Sequence, residues 1–230
     1  MKNLIDLGSP VPRPLETGVR PYQYPVQSAE TLPFLTKDAV QDFDDVVFAR
    51  RTRYGGTPLS RENLAALLWR TAYCLQDQPL DQRIHAKRKP VISAGARHPI
   101  DIIVIERSPS MDLSTKLYDD LNHSLLTLDI ASGAVRPLWD MASMAAKGTC
   151  STLCWFVAQV GKTAGKYEWP DSLIWRDAGA LLQQFSLVSH ALSLGCVPLG
   201  PTGNPGIDDI FRSNGTLFGV GGCFVSELQA

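Results

Sequence analysis

The order of helix and strand patterns is the feature of this 230-residue chain that most constrains its fold. Ser60 can cap a helix, and the leucines after it form one apolar stripe, so the pattern predicts a helix there. A second stripe predicts a long helix over residues 177–194. Apolar runs at 101–105, 153–157 and 216–225 predict buried strands. Because helices and strands do not alternate strictly, we expect an α+β fold rather than a doubly wound parallel sheet.

Three further segments have patterns that predict local structure. Six prolines lie within the first 33 residues, and proline removes backbone donors and fixes φ. Residues 1–41 are therefore predicted to form an extended arm, either disordered or wrapped around a partner subunit, and residues 42–230 to form one domain. The run 125–138 predicts a hairpin, and Gly195 is placed to end the long helix.

The composition argues against several classes of protein. A net charge of −1 argues against nucleic-acid binding, which needs a basic face. No apolar run has the length of a membrane span and no signal peptide is visible, so we expect a cytoplasmic protein. The five cysteines are an odd number scattered through apolar segments, which fits buried free thiols in a reducing compartment. Neither they nor the four histidines have the spacing of a metal site.

A group of three arginines and one hydroxyl residue, which we call the arginine cluster, precedes the first predicted helix. It consists of Arg50, Arg51, Thr52 and Arg53. Adjacent guanidinium groups repel one another unless an anion joins them, and a phosphate accepts paired hydrogen bonds from arginine. The residues alone leave two interpretations open, a solvated basic turn and a phosphate site. In an extended stretch Arg50 and Thr52 share one side, so these two are favoured as ligands.

Two other short motifs have residues suited to a ligand or to proton transfer. Lys166 and Tyr167 place an amine beside a phenol, and burial or nearby cations can make a lysine a proton acceptor near neutral pH. Small residues in a turn let the backbone approach a flat ligand closely. Each motif alone is also typical of an inert turn. The turn contains Ser93, Ala94, Gly95 and Arg97.

Together, these motifs resemble the flavin-dependent nitroreductase superfamily, and within it the SagB-type azoline oxidases. The most specific match is the run 92–99, in which Ile92 replaces the usual proline and His98 the usual aromatic residue. The resemblance covers residues from about Asp42 to the C-terminus. It implies a nitroreductase-like α+β fold, with a central, mostly antiparallel sheet flanked by helices. It also implies a homodimer with two FMN sites at the subunit interface.

The resemblance assigns roles to individual residues. It places the FMN phosphate and ribityl chain on the arginine cluster, and it makes Lys166 and Tyr167 the catalytic pair. The chain departs from the family at Ala180, where a histidine is usual, and after the final strand, where no cation follows. We therefore expect the arginines to balance more of the phosphate charge. The other implied cofactor residues are Ser93, Ala94 and Gly95 along the isoalloxazine ring, Leu199 and Gly200 at its edge, and Arg97 and Arg176.

The implied activity is that of an FMN-dependent dehydrogenase acting on a peptide-like or carrier-bound heterocycle. It would oxidise a thiazoline or oxazoline to the azole, or desaturate a related Cα–Cβ bond. Lys166, with Tyr167, would take a ring proton while flavin N5 accepts the hydride and oxygen reoxidises the flavin. A separate cyclodehydratase or carrier protein is the expected partner.

Two alternatives stay open from the sequence. One is an NAD(P)H-dependent reductase of nitro compounds or quinones. The other is a flavin-free homologue that acts as a dimeric binding protein, which the two departures from the family pattern favour.

Overall fold

A computed structural model describes residues 5–34, 41–80, 85–147, 151–204 and 206–228 of the chain. Seven strands form one central sheet, in which every neighbouring pair is antiparallel. Helices pack on both faces of this sheet. This architecture confirms the predicted α+β class. No helix among the described residues is long and apolar enough to cross a membrane.

The helices and strands follow one another in an order that returns repeatedly to the central sheet. In chain order they are β1 (Val11–Pro12), β2 (Val26–Thr31), α1 (Phe43–Ala49), α2 (Arg61–Ala72), β3 (Gln76–Pro79), β4 (His85–Arg88), β5 (Ile100–Arg107), β6 (Leu113–Asp119), β7 (Ser124–Leu128), α3 (Ser132–Ala145), β8 (Thr152–Gln159), α4 (Val160–Ala164), β9 (Tyr167–Glu168), α5 (Asp171–Ala191), β10 (Leu194–Leu199), α6 (Gly206–Phe211) and β11 (Leu217–Glu227). The central sheet has the order β10–β11–β8–β5–β6–β7–β2, and β1–β9 and β3–β4 form two small pairs.

The core has two layers because successive side chains of a strand point to opposite faces. In β5, Ile102 and Val104 pack with α2 and α5, whereas Ile103 and Ile105 pack with α3. The sequence of β5 and β8 is apolar on both sides for this reason. The predicted strands at 101–105, 153–157 and 216–225 are all present, with small differences in their ends.

The predicted hairpin over 125–138 is wrong beyond β7, because residues 132–145 form α3. Pro137 lies inside this helix, where proline costs about 3 kcal/mol. The cost is offset by tertiary packing: Val135, Leu138 and Trp139 are buried against the sheet. Their helical spacing was obscured in the sequence by the proline and the nearby glycine.

Both predicted long helices are present. The predicted start is correct for α2 but not for α5. Ser60 caps α2, and its hydroxyl accepts a hydrogen bond from the Asn63 amide at 3.3 Å. Helix α5 begins six residues before the predicted start and ends at Ala191. Gly195 does not end it, because Ser193 takes the left-handed conformation (φ 61°) and Gly195 lies in β10. A Cβ on Gly195 would lie 2.5 Å from the Ser226 hydroxyl of the neighbouring strand, so close packing explains this glycine.

The described part of the predicted arm lies along its own chain. Its strand β1 pairs with β9, and β2 forms the edge of the central sheet beside β7. The predicted boundary at residue 42 therefore falls after a strand that belongs to the sheet of the main domain. We call residues 11–19 of this region the N-terminal strap.

Candidate active site

Helix α5 connects two groups of residues that the sequence predicts for the site. Near its start, Asp177 accepts hydrogen bonds from the Ser93 hydroxyl at 2.5 Å and the Ala94 amide at 3.1 Å. Nine residues further along, the Ser186 hydroxyl accepts one from the Arg50 guanidinium at 3.3 Å. A helix rises about 1.5 Å per residue, so these contacts lie about 13 Å apart along its axis. The fold thus places two distant sequence motifs along one helix.

The turn that begins at Ser93 has an unusual backbone conformation. Gly95, Ala96 and His98 have φ values of 60°, 58° and 43°. For a residue with a side chain this conformation costs roughly 1 kcal/mol or more, and it persists only where the surroundings enforce it. Here the Ser93 hydroxyl accepts a hydrogen bond from the His98 amide at 2.9 Å and donates one to Asp177. The turn is therefore closed on itself and fastened to α5.

Burial changes the ionisation of two side chains at this turn. Burial, assisted by the Lys89 ammonium, lowers the pKa of His98 to about 4. The neutral imidazole Nε2 lies 2.9 Å from the Lys87 carbonyl, which accepts its proton in a hydrogen bond. Burial also raises the pKa of Asp177, although the bonds from Ser93 and Ala94 oppose the change. His98 is thus a structural member of the turn at neutral pH.

Lys166 and Tyr167 pack directly onto the same turn. A Cβ on Gly95 would lie 2.8 Å from Cδ of Lys166 and 2.8 Å from the hydroxyl of Tyr167. Glycine is required here by this contact as well as by its positive φ. The Lys166 side chain remains 28% exposed. The predicted catalytic pair and the predicted ring-binding turn are therefore one structural unit.

A carboxylate from the N-terminal strap joins this unit. Glu16 pairs with the Lys166 ammonium at 3.3 Å and also with the Arg97 guanidinium. The Arg97 side chain is only 5% exposed and also donates to the His85 carbonyl at 3.0 Å. A buried guanidinium needs such partners, because an unpaired buried charge is costly. The chain itself thus neutralises Arg97, whose predicted role toward a cofactor stays a prediction.

A cavity of about 500 Å³ lies beside this unit. Its volume is in the range of small-molecule sites. Residues 16–24 form one wall, residues of β5 and β6 form others, and Arg97 and Gly165 border it on the side of Lys166.

Three charged residues of the cavity wall, Lys87, Lys89 and Asp120, form what we call the cavity cluster. Both ammonium groups pair with the Asp120 carboxylate, that of Lys87 at 2.9 Å. Burial alone would raise the pKa of Asp120, but the two ammonium groups outweigh it and lower the pKa to about 2. Both cations of this cluster therefore have a carboxylate partner within the chain.

The arginine cluster lies beside the C-terminal half of α5 and has no such balance. None of its arginines forms an ion pair with a carboxylate among the described residues. The Nε atom of Arg53 is buried and has no hydrogen-bond partner in that part of the chain. Burial, with the arginines adding to it, lowers the pKa of the nearby His190. An added anion would satisfy these donors.

The remaining predicted residues lie at the surface or at the end of a strand. Arg176 is exposed and donates to the Ser172 carbonyl of its own helix at 3.0 Å. Leu199 is buried at the end of β10, and Gly200 follows it at the surface. A Cβ on Gly179 or Gly200 would meet no atom of the described residues within 4 Å. No described part of this chain packs on Gly179, which leaves open space there.

These features are compatible with bound FMN. The arginine cluster has guanidinium donors of the kind that bind phosphate. One of them, Nε of Arg53, is buried without a partner among the described residues. The open faces at Gly179 and Gly200 leave space in which a flat ring can pack. Among the described residues, no group of three His, Cys, Asp or Glu side chains could hold a metal ion.

Sequence reasoning missed two residues of the site, Asp177 and Glu16. Asp177 had a detectable signal, because a carboxylate in the apolar stripe of a helix needs a hydrogen-bonding partner inside the protein. Glu16 had none, since it lies in a segment without periodicity and its partners are distant in sequence.

Comparisons with known proteins address the fold. No protein-family model matches this sequence, and no curated protein matches it. Among solved structures, a protein of Ralstonia eutropha JMP134 designated a nitroreductase has a TM-score of 0.68 at 17% identity, over 94% of this chain and 99% of that one. The fold is nitroreductase-like. This confirms the predicted fold family.

Two further structures support the nitroreductase-like fold. A protein of Anabaena variabilis ATCC 29413 with the same designation has a TM-score of 0.64 at 18% identity, over 90% of this chain but 40% of its own. The Escherichia coli microcin synthetase McbBCD complex with truncated pro-MccB17 bound contains a chain with a TM-score of 0.58 at 15% identity, over 87% of this chain and 79% of that one. Identities of this size establish a shared fold alone.

Proposed function

We propose that this protein is an FMN-dependent oxidoreductase of the SagB type. It oxidises a thiazoline or oxazoline in a peptide-like or carrier-bound substrate to the azole, or desaturates a related Cα–Cβ bond. The observation that carries the proposal is the contact of Lys166 and Tyr167 with the Gly95 turn. A proton-transfer pair and the backbone proposed to lie along the flavin ring meet at one place. The nitroreductase-like fold of a chain in the microcin synthetase complex adds support.

The residues of this chain have distinct roles in the proposed reaction. Arg50, Thr52 and Arg53 bind the phosphate of FMN, with Arg51 beside them. Ser93, Ala94 and Gly95 lie along the ring, and Asp177 fixes their position through the hydrogen bonds described above. Leu199 and Gly200 lie at the ring edge, and Arg176 is a further candidate ligand. When bound, FMN supplies an acceptor for the hydride of the substrate.

Lys166 acts on the substrate proton. Its amine would take a proton from a ring carbon of the heterocycle, and Tyr167 would orient the substrate or relay the proton. The stem of Lys166 and the Tyr167 hydroxyl are held in place by the Gly95 turn. Rigid placement of this kind lowers the entropic cost of reaching the reactive geometry.

The proposal includes an assembly. The active protein is a cytoplasmic homodimer and receives its heterocycle from a separate cyclodehydratase or carrier protein. The solved microcin synthetase structure, which is a complex with a peptide bound, supports a peptide substrate and partner proteins.

Absorbance and turnover test this function. The purified protein should show a flavin spectrum that survives washing after FMN is added. With a synthetic thiazoline peptide and oxygen, Lys166→Ala should lose at least about 100-fold in kcat, a typical contribution of proton transfer, and keep its bound FMN. Lys147→Ala, at an exposed lysine after α3, is the matched control and should retain full activity.

Two results would count against the proposal. Unchanged turnover of Lys166→Ala would remove the mechanism. A colourless protein that FMN cannot reconstitute would instead favour a non-catalytic dimeric binding protein.

A second candidate function is an NAD(P)H-dependent reductase of nitro compounds or quinones. The observation that favours it is the ion pair between Lys166 and Glu16, which engages the proposed base. Rapid bleaching of the flavin by NADPH, without oxidation of an azoline peptide, would support this alternative.

A further inference from the structure

The N-terminal strap lies as an extended chain directly across the segment that contains Lys166. Its Val11 pairs with Glu168 in the β1–β9 ladder. Its Arg13 amide donates to the Lys166 carbonyl at 2.8 Å, and its Thr17 amide donates to the Gly165 carbonyl at 2.9 Å. This is the way in which an added strand binds to an exposed sheet edge, with backbone hydrogen bonds providing affinity.

The surface below the strap is shaped for an extended chain. A Cβ on Gly165 would lie 2.4 Å from the Thr17 carbonyl oxygen, and one on Gly161 would lie 2.6 Å from Cγ1 of Val19. Only glycine at these two positions lets the strap lie this close, and helix α4 thereby forms the floor of a track for a peptide.

Glu16 brings the strap into chemical contact with the proposed base. Its carboxylate accepts from the Lys166 ammonium and from Arg97. A lysine nitrogen that carries three hydrogens and donates to a carboxylate has no lone pair to accept a substrate proton. The docked strap is therefore incompatible with the role of Lys166 in the proposed reaction.

The same part of the chain also closes the cavity beside the site, since residues 16–24 form its wall. Just after the strap the chain is anchored, because the Tyr22 amide donates to Gln159 at 2.8 Å and the Tyr24 hydroxyl donates to Asp101 at 2.9 Å. If the strap lifted away from this fixed point, the cavity would open next to Arg97 and Gly165. Lys166 would then lose its contact with Glu16.

We propose that the N-terminal strap is an internal competitor of the substrate, occupying the track of an extended peptide with Glu16 seated on Lys166 and Arg97. This inference rests on the proposed function and concerns the regulation of the same site. An extended peptide substrate takes the place of the strap along β9. Because the strap is tethered beside its track, it competes at a high effective concentration.

Variants that loosen the strap test the competition. Glu16→Gln removes the charge that engages Lys166, and Arg13→Ala removes the side-chain contacts of the strap with the Ala164 carbonyl and with Glu168. An internal competitor reduces the fraction of competent protein, so both variants should lower KM for the peptide by about tenfold and leave kcat unchanged. The matched control is Arg136→Ala in α3, whose side chain contacts the Met111 carbonyl and not the strap, and it should change neither constant.

Hydrogen exchange measures the strap without relying on turnover. In the wild type, saturating thiazoline peptide should speed exchange of the Arg13 and Thr17 amides at least about tenfold, because their acceptors are taken by the substrate. A synthetic peptide of residues 9–20 should inhibit Arg13→Ala, and the same peptide with Gln in place of Glu16 should inhibit it less.

The outcomes separate the two proposals. Unchanged KM in both strap variants, or a fall in kcat in both, would overturn the internal competitor. Peptide turnover without faster exchange of Arg13 and Thr17 would do the same. No turnover in any variant, with peptide still displacing the strap, would support the competition for the track and contradict the proposed oxidation.

Discussion

The arginine cluster and the cavity cluster each hold several cations, and they differ in what pairs with them. In the cavity cluster the side chains of Lys87 and Lys89, which are 21% and 8% exposed, share the carboxylate of Asp120. In the arginine cluster the arginines have no carboxylate partner among the described residues, and Nε of Arg53 is buried without a hydrogen bond. Cations that the chain neutralises serve its own structure, whereas unpaired cations held together favour an external anion.

The largest effect we expect is a loss of protein stability when the cavity cluster loses its carboxylate. Asp120→Asn leaves the partly buried ammonium groups of Lys87 and Lys89 without their shared carboxylate. It should lower the free energy of unfolding by about 3–5 kcal/mol in urea denaturation. Asp140→Asn, at an exposed position of α3, should change it by less than about 0.5 kcal/mol. Equal losses in the two variants would show that the pairs of Asp120 contribute nothing particular.

The second largest effect should be a fall in protein stability at acid pH, caused by His98, which lies next to the cavity cluster. The folded protein keeps His98 neutral down to a pKa of about 4, whereas the unfolded chain takes up this proton near pH 6.5. The unfolded state therefore binds more protons in this window, and the free energy of unfolding should fall by up to about 3 kcal/mol as the pH drops from 6.5 to 4.

Two variants isolate the contribution of His98. His98→Asn should remove most of this pH dependence in urea titrations, and asparagine is chosen because it tolerates the positive φ of this position. His190→Asn beside the arginine cluster should remove much less, since His190 is more exposed. A pH dependence that survives in His98→Asn would assign the effect to other groups.

The arginine cluster should matter for ligand binding rather than for stability. Arg50→Ala with Arg53→Ala should weaken FMN binding by roughly 100-fold, as expected for lost charge-assisted hydrogen bonds. Quenching of flavin fluorescence measures this affinity, and the melting temperature of the apoprotein should not fall. Arg136→Ala in α3 is the control. Unchanged affinity in the double variant would assign the arginine cluster to the solvated surface.

The smallest expected effect concerns the open face of α5. Gly179→Ala should stabilise the apoprotein by about 0.5–1 kcal/mol, because alanine favours a helix and its Cβ meets no described atom. The same change should weaken FMN binding if the ring packs at this face. Gly133→Ala should not affect FMN binding. Equal FMN affinity in both variants would show that the ring does not pack at Gly179.

Local patterns predicted the regular elements well where one physical signal dominated. Ser60 began a helix because its cap and its leucine stripe agree, and β5 was a strand because its β-branched run is buried on both faces. The prediction failed where signals conflicted. Pro137 pointed to a turn, but burial of Val135 and Trp139 kept the segment helical.

The sequence by itself determined the α+β class and the motifs of the candidate site, because these depend on local periodicity and on residue chemistry. The tertiary structure alone decided that Lys166 and Tyr167 lie on Gly95, that Asp177 fastens the Ser93 turn, and that Glu16 pairs with both Lys166 and Arg97. These are contacts between segments far apart in the chain. No local pattern encodes such contacts, since they depend on how strands and helices pack into one core.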